Sequence, residues 1–275
     1  MILETLAEAG RRRVQSAKSR VPLADLQAQV WEQREKEISG KAFNRGQDFA
    51  FEQALKKKGL SFICEVKKAS PSKGVIAPVF PYREIALQYE KAGARAISVL
   101  TEPEYFLGSD IYLKEISALV RIPVLRKDFI LDEYQIYEAK LLGADAVLLI
   151  CALLDTATLK KFLGLCDELG LSALVEAHTQ ADIASALEAG ARVIGVNNRN
   201  LNTFEVDFNN CLRLRDLVPE NIVYVAESGI QTPEQIALLE EAGVDGVLLG
   251  EVLMRSADKT AMLAYLQGRK DKADG

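Results

Sequence analysis

The chain is poor in the residues that build metal centres and redox staples. Its 275 residues hold one histidine, His178, and four cysteines. Cys64, Cys151, Cys166 and Cys211 form no Cys-x-x-Cys pair, and no His/Cys/acid cluster has ligand spacing. A zinc ribbon and a dithiol redox motif are thereby excluded, and no metal is expected. Widely spaced thiols read instead as free cysteines of a reducing compartment, which points to the cytoplasm. Long apolar runs are missing too. The longest, Ala146 to Leu154, falls short of the ~20 residues that cross a bilayer. The N-terminal Met1-Ile-Leu-Glu carries an early acid and no signal-peptide pattern. Charge of one sign is not in excess: 34 basic and 39 acidic residues leave a net charge of −5. That balance argues against a nucleic-acid surface and against an anionic membrane surface. Arg11-Arg-Arg13 and Lys56-Lys-Lys58 read as solvated helix faces. No Gly-x-Gly-x-x-Gly follows the first apolar run, which removes the dinucleotide fingerprint of an open doubly wound sheet.

Apolar residues are abundant, at 49%, and a repeated phrase arranges them. Lys91-Ala-Gly-Ala-Arg-Ala-Ile-Ser-Val-Leu100, Leu142-Gly-Ala-Asp-Ala-Val-Leu-Leu-Ile150, Ala189-Gly-Ala-Arg-Val-Ile-Gly-Val-Asn197 and Ala242-Gly-Val-Asp-Gly-Val-Leu-Leu-Gly250 each end a helix at a glycine and start a short apolar strand. The four glycines recur roughly every 50 residues, about two βα units apart. Four more strands fall between them, at Ser61–Lys67, Pro123–Lys127, Leu171–Glu176 and Asn221–Glu227. Helices follow each strand, near Tyr82–Ala92, Asp110–Val120, Asp132–Leu142, Asp155–Leu169, Thr179–Ala189, Asn209–Leu217, Thr232–Ala242 and Ser256–Leu266, with Asp132, Asp155 and Thr179 as N-caps. Eight strands alternating with eight helices predict an α/β chain folded as a (β/α)8 TIM barrel over residues 48–267. Residues 1–47 read as a helical extension packed on the barrel, a lid or an added layer across one end, with broken apolar stripes at Leu3, Leu6, Ala7 and Val14 and again from Leu23 to Val30. Residues 268–275 read as a frayed polar tail. No linker divides the chain, so a single domain is expected.

In this barrel class chemistry sits at the C-terminal ends of the strands. Taken in order, those ends carry Glu65 and Lys67, Thr101 and Glu102, Lys127 and Asp128, Glu176, Asn197 and Arg199, Glu227 and Ser228, and Gly250. In Leu125/Lys127, Leu174/Glu176, Gly195/Asn197 and Val225/Glu227 the polar residue follows two places after the residue below it, the spacing of one strand face. Charged groups at the inner ends of buried strands are expensive to desolvate. Their concentration on one rim exceeds what solubility requires.

Seven stretches carry this rim: Glu65-Val-Lys-Lys-Ala-Ser-Pro-Ser72, Leu100-Thr-Glu-Pro-Glu-Tyr-Phe-Leu-Gly108, Leu125-Arg-Lys-Asp-Phe-Ile130, Leu174-Val-Glu-Ala-His178, Gly195-Val-Asn-Asn-Arg-Asn-Leu201, Ala226-Glu-Ser-Gly-Ile230 and Leu249-Gly-Glu-Val-Leu-Met254. They span the barrel in order, and together they resemble those of the indole-3-glycerol-phosphate synthase family of tryptophan biosynthesis. The resemblance implies a carbon–carbon lyase that needs no cofactor. It closes the pyrrole ring of 1-(2-carboxyphenylamino)-1-deoxyribulose 5-phosphate with loss of carbon dioxide and water.

The resemblance also implies roles. Lys127 is the general acid at the ketone oxygen. Lys67 pairs with the substrate carboxylate or shuttles a proton, and Glu65 either opposes its charge or serves as a base. Glu176 is the base of dehydration or a structural partner of Lys127. Glu227 binds a substrate hydroxyl or is a structural partner of Lys127, and Asn197 hydrogen-bonds a sugar hydroxyl or holds a carboxylate in place. Arg199 contacts the carboxylate or braces the rim. Ser70, Ser228, Gly229, Gly250 and the backbone N–H of Glu251 serve the phosphate, Glu251 standing where family members often carry serine. Phe106, Phe129, Leu148 and Leu201 form the apolar slot for the aromatic ring. Lys73 reads as a solvated loop lysine and His178 as a rim residue. The expected partner is the small phosphorylated substrate, on a monomer or weak homo-oligomer that touches neighbouring pathway enzymes transiently. Two rivals remain at this point: another sugar-phosphate barrel enzyme, such as an Amadori-type isomerase or a Schiff-base aldolase, and a non-catalytic phosphate-binding barrel.

Overall fold

Each apolar run becomes a strand covered on both faces. They are β1 (Ser61–Val66), β2 (Ala96–Leu100), β3 (Val124–Lys127), β4 (Ala146–Ile150), β5 (Ser172–Ala177), β6 (Val193–Asn197), β7 (Val223–Glu227) and β8 (Gly246–Leu249). The structure, a computed structural model, describes residues 2–39, 48–201 and 203–269. The end of the expected extension (40–47) and most of the expected tail (270–275) lie outside the described residues. The eight strands pair in parallel in the order β1-β8-β7-β6-β5-β4-β3-β2 and close on themselves, because β1 pairs with both β8 and β2. Helices alternate with the strands, so the fold is the (β/α)8 barrel that the repeated phrase predicts.

Local chemistry explains where these helices begin. Asp132 and Asp155 each accept a backbone N–H at the start of α6 (Glu133–Leu141) and α7 (Thr156–Glu168). Thr179 and Asp182 exchange hydrogen bonds at the start of α8 (Gln180–Ala189). Two boundaries differ from expectation. The helix expected over Asn209–Leu217 tightens into a 3-10 turn at Arg215–Leu217, a common end for a short helix. The last helix starts at Lys259, capped by Asp258, and a separate five-residue helix, α11 (Glu251–Arg255), precedes it directly after β8.

Strand alternation builds two cores. One parity, including Ile63, Leu125, Leu148, Leu174, Val225 and Leu248, fills the barrel interior. The other, including Cys64, Val99, Leu149 and Val196, packs outward beneath the helices. Both ends of the interior are closed by segments that precede β1. Helix α3 (Ala50–Leu55) sets Phe51 and Leu55 under the strand N-termini, where Ser61 Oγ donates to the Leu55 carbonyl and Ser172 Oγ accepts the Glu52 N–H. At the opposite end α1 (Ile2–Arg20) inserts Leu6. It is held there by Arg13 on Asp128 and Lys18 on Asp132, each at 2.7 Å. Helix α2 (Leu23–Ile38) lies along α6, with Glu37 bridging to Lys140 at 2.9 Å. The four cysteines are free, three of them buried. No helix among the described residues is long and apolar enough to cross a membrane.

Candidate active site

A two-residue period along the strands raises Lys127, Glu176, Asn197 and Glu227 one inward step above the interior core. Barrel register pairs Asn197 with Glu227 and sets Glu176 beside Gly195, one inward step lower. They meet at the C-terminal mouth around a cavity of about 560 Å³. Lys127 Nζ donates to Glu227 Oε2 at 2.5 Å and to Glu176 Oε2 at 3.2 Å. Glu65 and Lys67 line the same cavity and pair with each other, Lys67 Nζ donating to Glu65 Oε1. β1 itself ends at Val66, yet Lys67 still reaches inward.

Burial and charge compete at every group here. Burial works against the Lys127 ammonium, but Glu227, Glu176 and Glu65 outweigh it and hold the lysine above its ordinary range. Burial pushes Glu176 up, and Lys127, then His178 and Asn197, outweigh it and hold that carboxyl below its ordinary range. Glu227 goes the other way. Burial, reinforced by Glu176 and Glu65, pushes it up to about 7 against the pull of Lys127. Its Oε1 is buried with no hydrogen-bond partner among the described residues. Two neighbouring carboxyls driven apart in this way can serve as a base and as a proton-holding group.

The rest of the wall has identifiable supports. Phe106 and Phe129 face each other at 6.1 Å between ring centres, tilted by 43°, and line the cavity with Leu148, Leu201 and Leu6. The Phe106 loop is folded by buried Glu102, whose carboxylate accepts the N–H groups of Glu104, Tyr105 and Phe106 at 2.7–3.0 Å. Asp128 is equally committed: it takes Arg13, Thr101 and the Phe129 N–H. Both acids therefore hold the loops beside the cavity. Ser70, Ser228, Gly229, Gly250 and Glu251 line the other side with Ser72. Ser228 is left-handed at φ 67, an unfavourable conformation for a non-glycine residue that is sustained only by its surroundings. Asn198 supplies part of that support, donating to the Ser228 carbonyl at 3.0 Å and accepting the Cys211 N–H at 2.9 Å.

All sixteen residues given catalytic or substrate-binding roles from the sequence line this one cavity. Their side chains are not equally free. Arg199 donates to the Phe204 carbonyl within its own loop at 3.1 Å. Asn197 Oδ1 accepts the Arg199 N–H at 3.0 Å. The Glu251 carboxylate takes Arg255 Nε at 2.9 Å. His178 is no lining residue; its Nε2 lies 3.1 Å from the Arg199 carbonyl. Lys73 does line the mouth. Sequence reasoning missed Leu6, Ser72, Phe204 and the loop-bridging Asn198. Leu6 was visible as part of an apolar stripe, but nothing in the stripe says which barrel end it meets. Among the described residues no group of three potential metal ligands occurs.

Comparison with known proteins agrees with this geometry. A family model described as indole-3-glycerol phosphate synthase matches residues 3–266. A relative of that name from Ruminiclostridium cellulolyticum is 56% identical over 268 residues, covering 98% of this chain and 99% of the relative. Another, from Lachnoclostridium phytofermentans, is 53% identical and covers 97% and 99%. Among solved structures, 3-hexulose-6-phosphate synthase from Salmonella typhimurium superposes with a TM-score of 0.60 at 16% identity, over 75% of this chain and 96% of that one. That likeness speaks to the fold alone. The near full-length match to the family model, together with relatives more than half identical, makes this chain a member of the indole-3-glycerol phosphate synthase family.

Proposed function

We propose that the mouth closes the indole ring of 1-(2-carboxyphenylamino)-1-deoxyribulose 5-phosphate, with Lys127 as general acid and Glu176 as general base. The observation that carries this is the Lys127 ammonium held between two buried carboxylates at 2.5 and 3.2 Å, facing an open cavity. The ring carbon that bears the carboxylate attacks the ketone carbon, and Lys127 protonates the ketone oxygen as the new bond forms. Loss of carbon dioxide returns its bonding electrons to the ring. The new hydroxyl then leaves as water on a donated proton, while ionised Glu176 removes the proton whose loss forms the pyrrole double bond. Positioned proton transfer of this kind contributes about 10²–10⁴-fold in rate.

Lys67, steadied by Glu65, pairs with the departing carboxylate. Glu227 and Asn197 hold the sugar hydroxyls, and Arg199 braces the loop above them. Phe106, Phe129, Leu148 and Leu201 flank the aromatic ring. Ser70, Ser228 and the backbone at Gly229, Gly250 and Glu251 take the phosphate, as loops after the last two strands of such barrels do. A Schiff-base aldolase needs a neutral amine, and two acids hold Lys127 protonated. Four free thiols support a reducing, cytoplasmic setting. We read the chain as one domain, a monomer or weak homo-oligomer that meets neighbouring pathway enzymes only transiently.

The test supplies the carboxyphenylamino sugar phosphate to purified protein and follows indole fluorescence together with carbon dioxide release. Both signals are expected in equal amounts. Silence from folded protein would refute the reading.

A further inference from the structure

We propose that Gly195 is a positioning residue for the reaction: the side chain it lacks leaves the slot in which the Glu227 carboxylate lies beside Lys127. This inference rests on the roles given above to Lys127 and Glu227.

β6 runs between β5 and β7, and Gly195 is level with Glu176 on one side and Val225 on the other. It shares the inward parity of Asn197. A Cβ at Gly195 would collide with Glu227 Oε1, with Glu227 Cδ at 3.3 Å and Leu174 Cδ1 at 3.0 Å. The backbone does not ask for glycine, because Gly195 is absent from the left-handed residues. Glycine inside a strand also forfeits packing and costs conformational entropy. What remains to explain it is the close approach of the carboxylate.

That approach decides how Glu227 meets its partners. Oε1 fills the slot over Gly195 and has no hydrogen-bond partner among the described residues, while Oε2 reaches Lys127. Leu174 is fully buried beside the slot. A methyl group at position 195 therefore displaces the carboxylate toward the cavity and carries Oε2 away from the ammonium. Across the mouth the arrangement recurs. A Cβ at Gly250 would collide with Glu65 Oε1 and stand 2.9 Å from Lys67 Nζ. Glu227 and Glu65 are thus each seated over a glycine, Gly195 within β6 and Gly250 just past the end of β8.

The consequence is kinetic. Glu227 raises the Lys127 pKa, so moving it away lowers that pKa and shifts the alkaline limb of the rate profile to lower pH. The experiment compares Gly195→Ala with Gly164→Ala, a helix position whose added methyl meets nothing, and with Lys127→Met. Gly164→Ala is expected to behave as the parent. Gly195→Ala is expected to lose about 100-fold in kcat, the scale of an ångström misplacement, with KM nearly unchanged and the alkaline limb displaced downward. In Gly195→Ala/Glu227→Asp the shorter acid makes room for the methyl. Its loss is expected to be smaller than the product of the two separate losses.

Parent-like turnover and pH profile in Gly195→Ala would overturn the inference, as would strict additivity in the double variant. Should Gly195→Ala fail to fold, the double variant decides. Recovery of folding supports a conflict with Glu227, and failure places the conflict at Leu174 and overturns it. An inactive Lys127→Met beside a parent-like Gly195→Ala rejects this inference alone, whereas an active Lys127→Met rejects the catalytic reading beneath it.

Discussion

Arg126 and Lys127 are consecutive on β3, and each buries a cation among carboxylates, but they face opposite sides of the strand. Arg126 points outward under the helices. Its Nη2 meets Glu138 at 2.7 Å and Asp110 at 3.0 Å, Nη1 donates to the Gln135 carbonyl, and Nε donates to Thr101. Burial opposes its charge, yet Asp110, Asp128 and Glu138 outweigh burial and leave it firmly protonated. Lys127 points inward and meets two acids at the edge of an open cavity. One of those acids keeps an oxygen without a partner among the described residues. Similar chemistry thus has two outcomes on one strand. Where every nitrogen has an acceptor, the cluster fixes structure. Where the cluster is left short and faces open space, its groups can exchange protons with a bound molecule.

The largest effects should separate these clusters most cleanly. Glu176→Gln removes the base while preserving its shape, and a loss of about 10²–10⁴-fold in kcat is expected by indole fluorescence, with the urea midpoint almost unmoved. Arg126→Met should do the reverse. Glu138 and Asp110 lose their shared cation while Asp128 keeps Arg13 and Thr101, and the change is expected to cost about 3–5 kcal/mol, seen as a lower urea midpoint, while the folded fraction keeps most of its turnover.

Glu227→Gln tests the unfinished side of the comparison. Between its ordinary value of 4.5 and about 7 the folded protein retains a proton that the unfolded chain has released. Wild-type stability therefore declines as pH rises through that window. Glutamine carries no such penalty. The variant should melt higher than the parent above pH 7, by about 2–4 °C per kcal/mol recovered, and the difference should close as the pH falls to the ordinary carboxyl range. The smallest effect is expected at Arg255→Ala. Freeing the Glu251 carboxylate beside the phosphate contacts should raise KM by no more than about fivefold, the scale of an exposed ion pair, and added salt should shrink the difference.

Much of this comparison was legible in the sequence. The alternation Leu125/Lys127 and Leu174/Glu176 places the reactive groups inward because a strand has a two-residue period. The same period puts Arg126 outward. Its partners were not legible, since Asp110 and Glu138 come from separate helices whose rotation depends on packing. Nor was the contrast between Glu176 and Glu227 visible. Both are strand-end glutamates of similar sequence context and equal burial; Lys127, His178 and Asn197 outweigh burial at Glu176, whereas the charges of Glu176 and Glu65 reinforce burial at Glu227. Glu102 and Asp128 read from sequence as rim acids, but three backbone N–H groups engage the first and two arginines with Thr101 engage the second. The turn at Ser228-Gly229 was legible, but the left-handed backbone of Ser228 was not, since serine gives no sign of it.

Lys127→Met, assayed for both turnover and ligand binding, tests the division between the two clusters most directly. Methionine keeps the length and removes the ammonium. Turnover of the carboxyphenylamino sugar phosphate should disappear, while the reduced, non-cyclising analogue of that substrate still binds the folded variant within an order of magnitude of the parent. Unchanged turnover in a folded Lys127→Met protein would contradict the role assigned to the inward-facing cation.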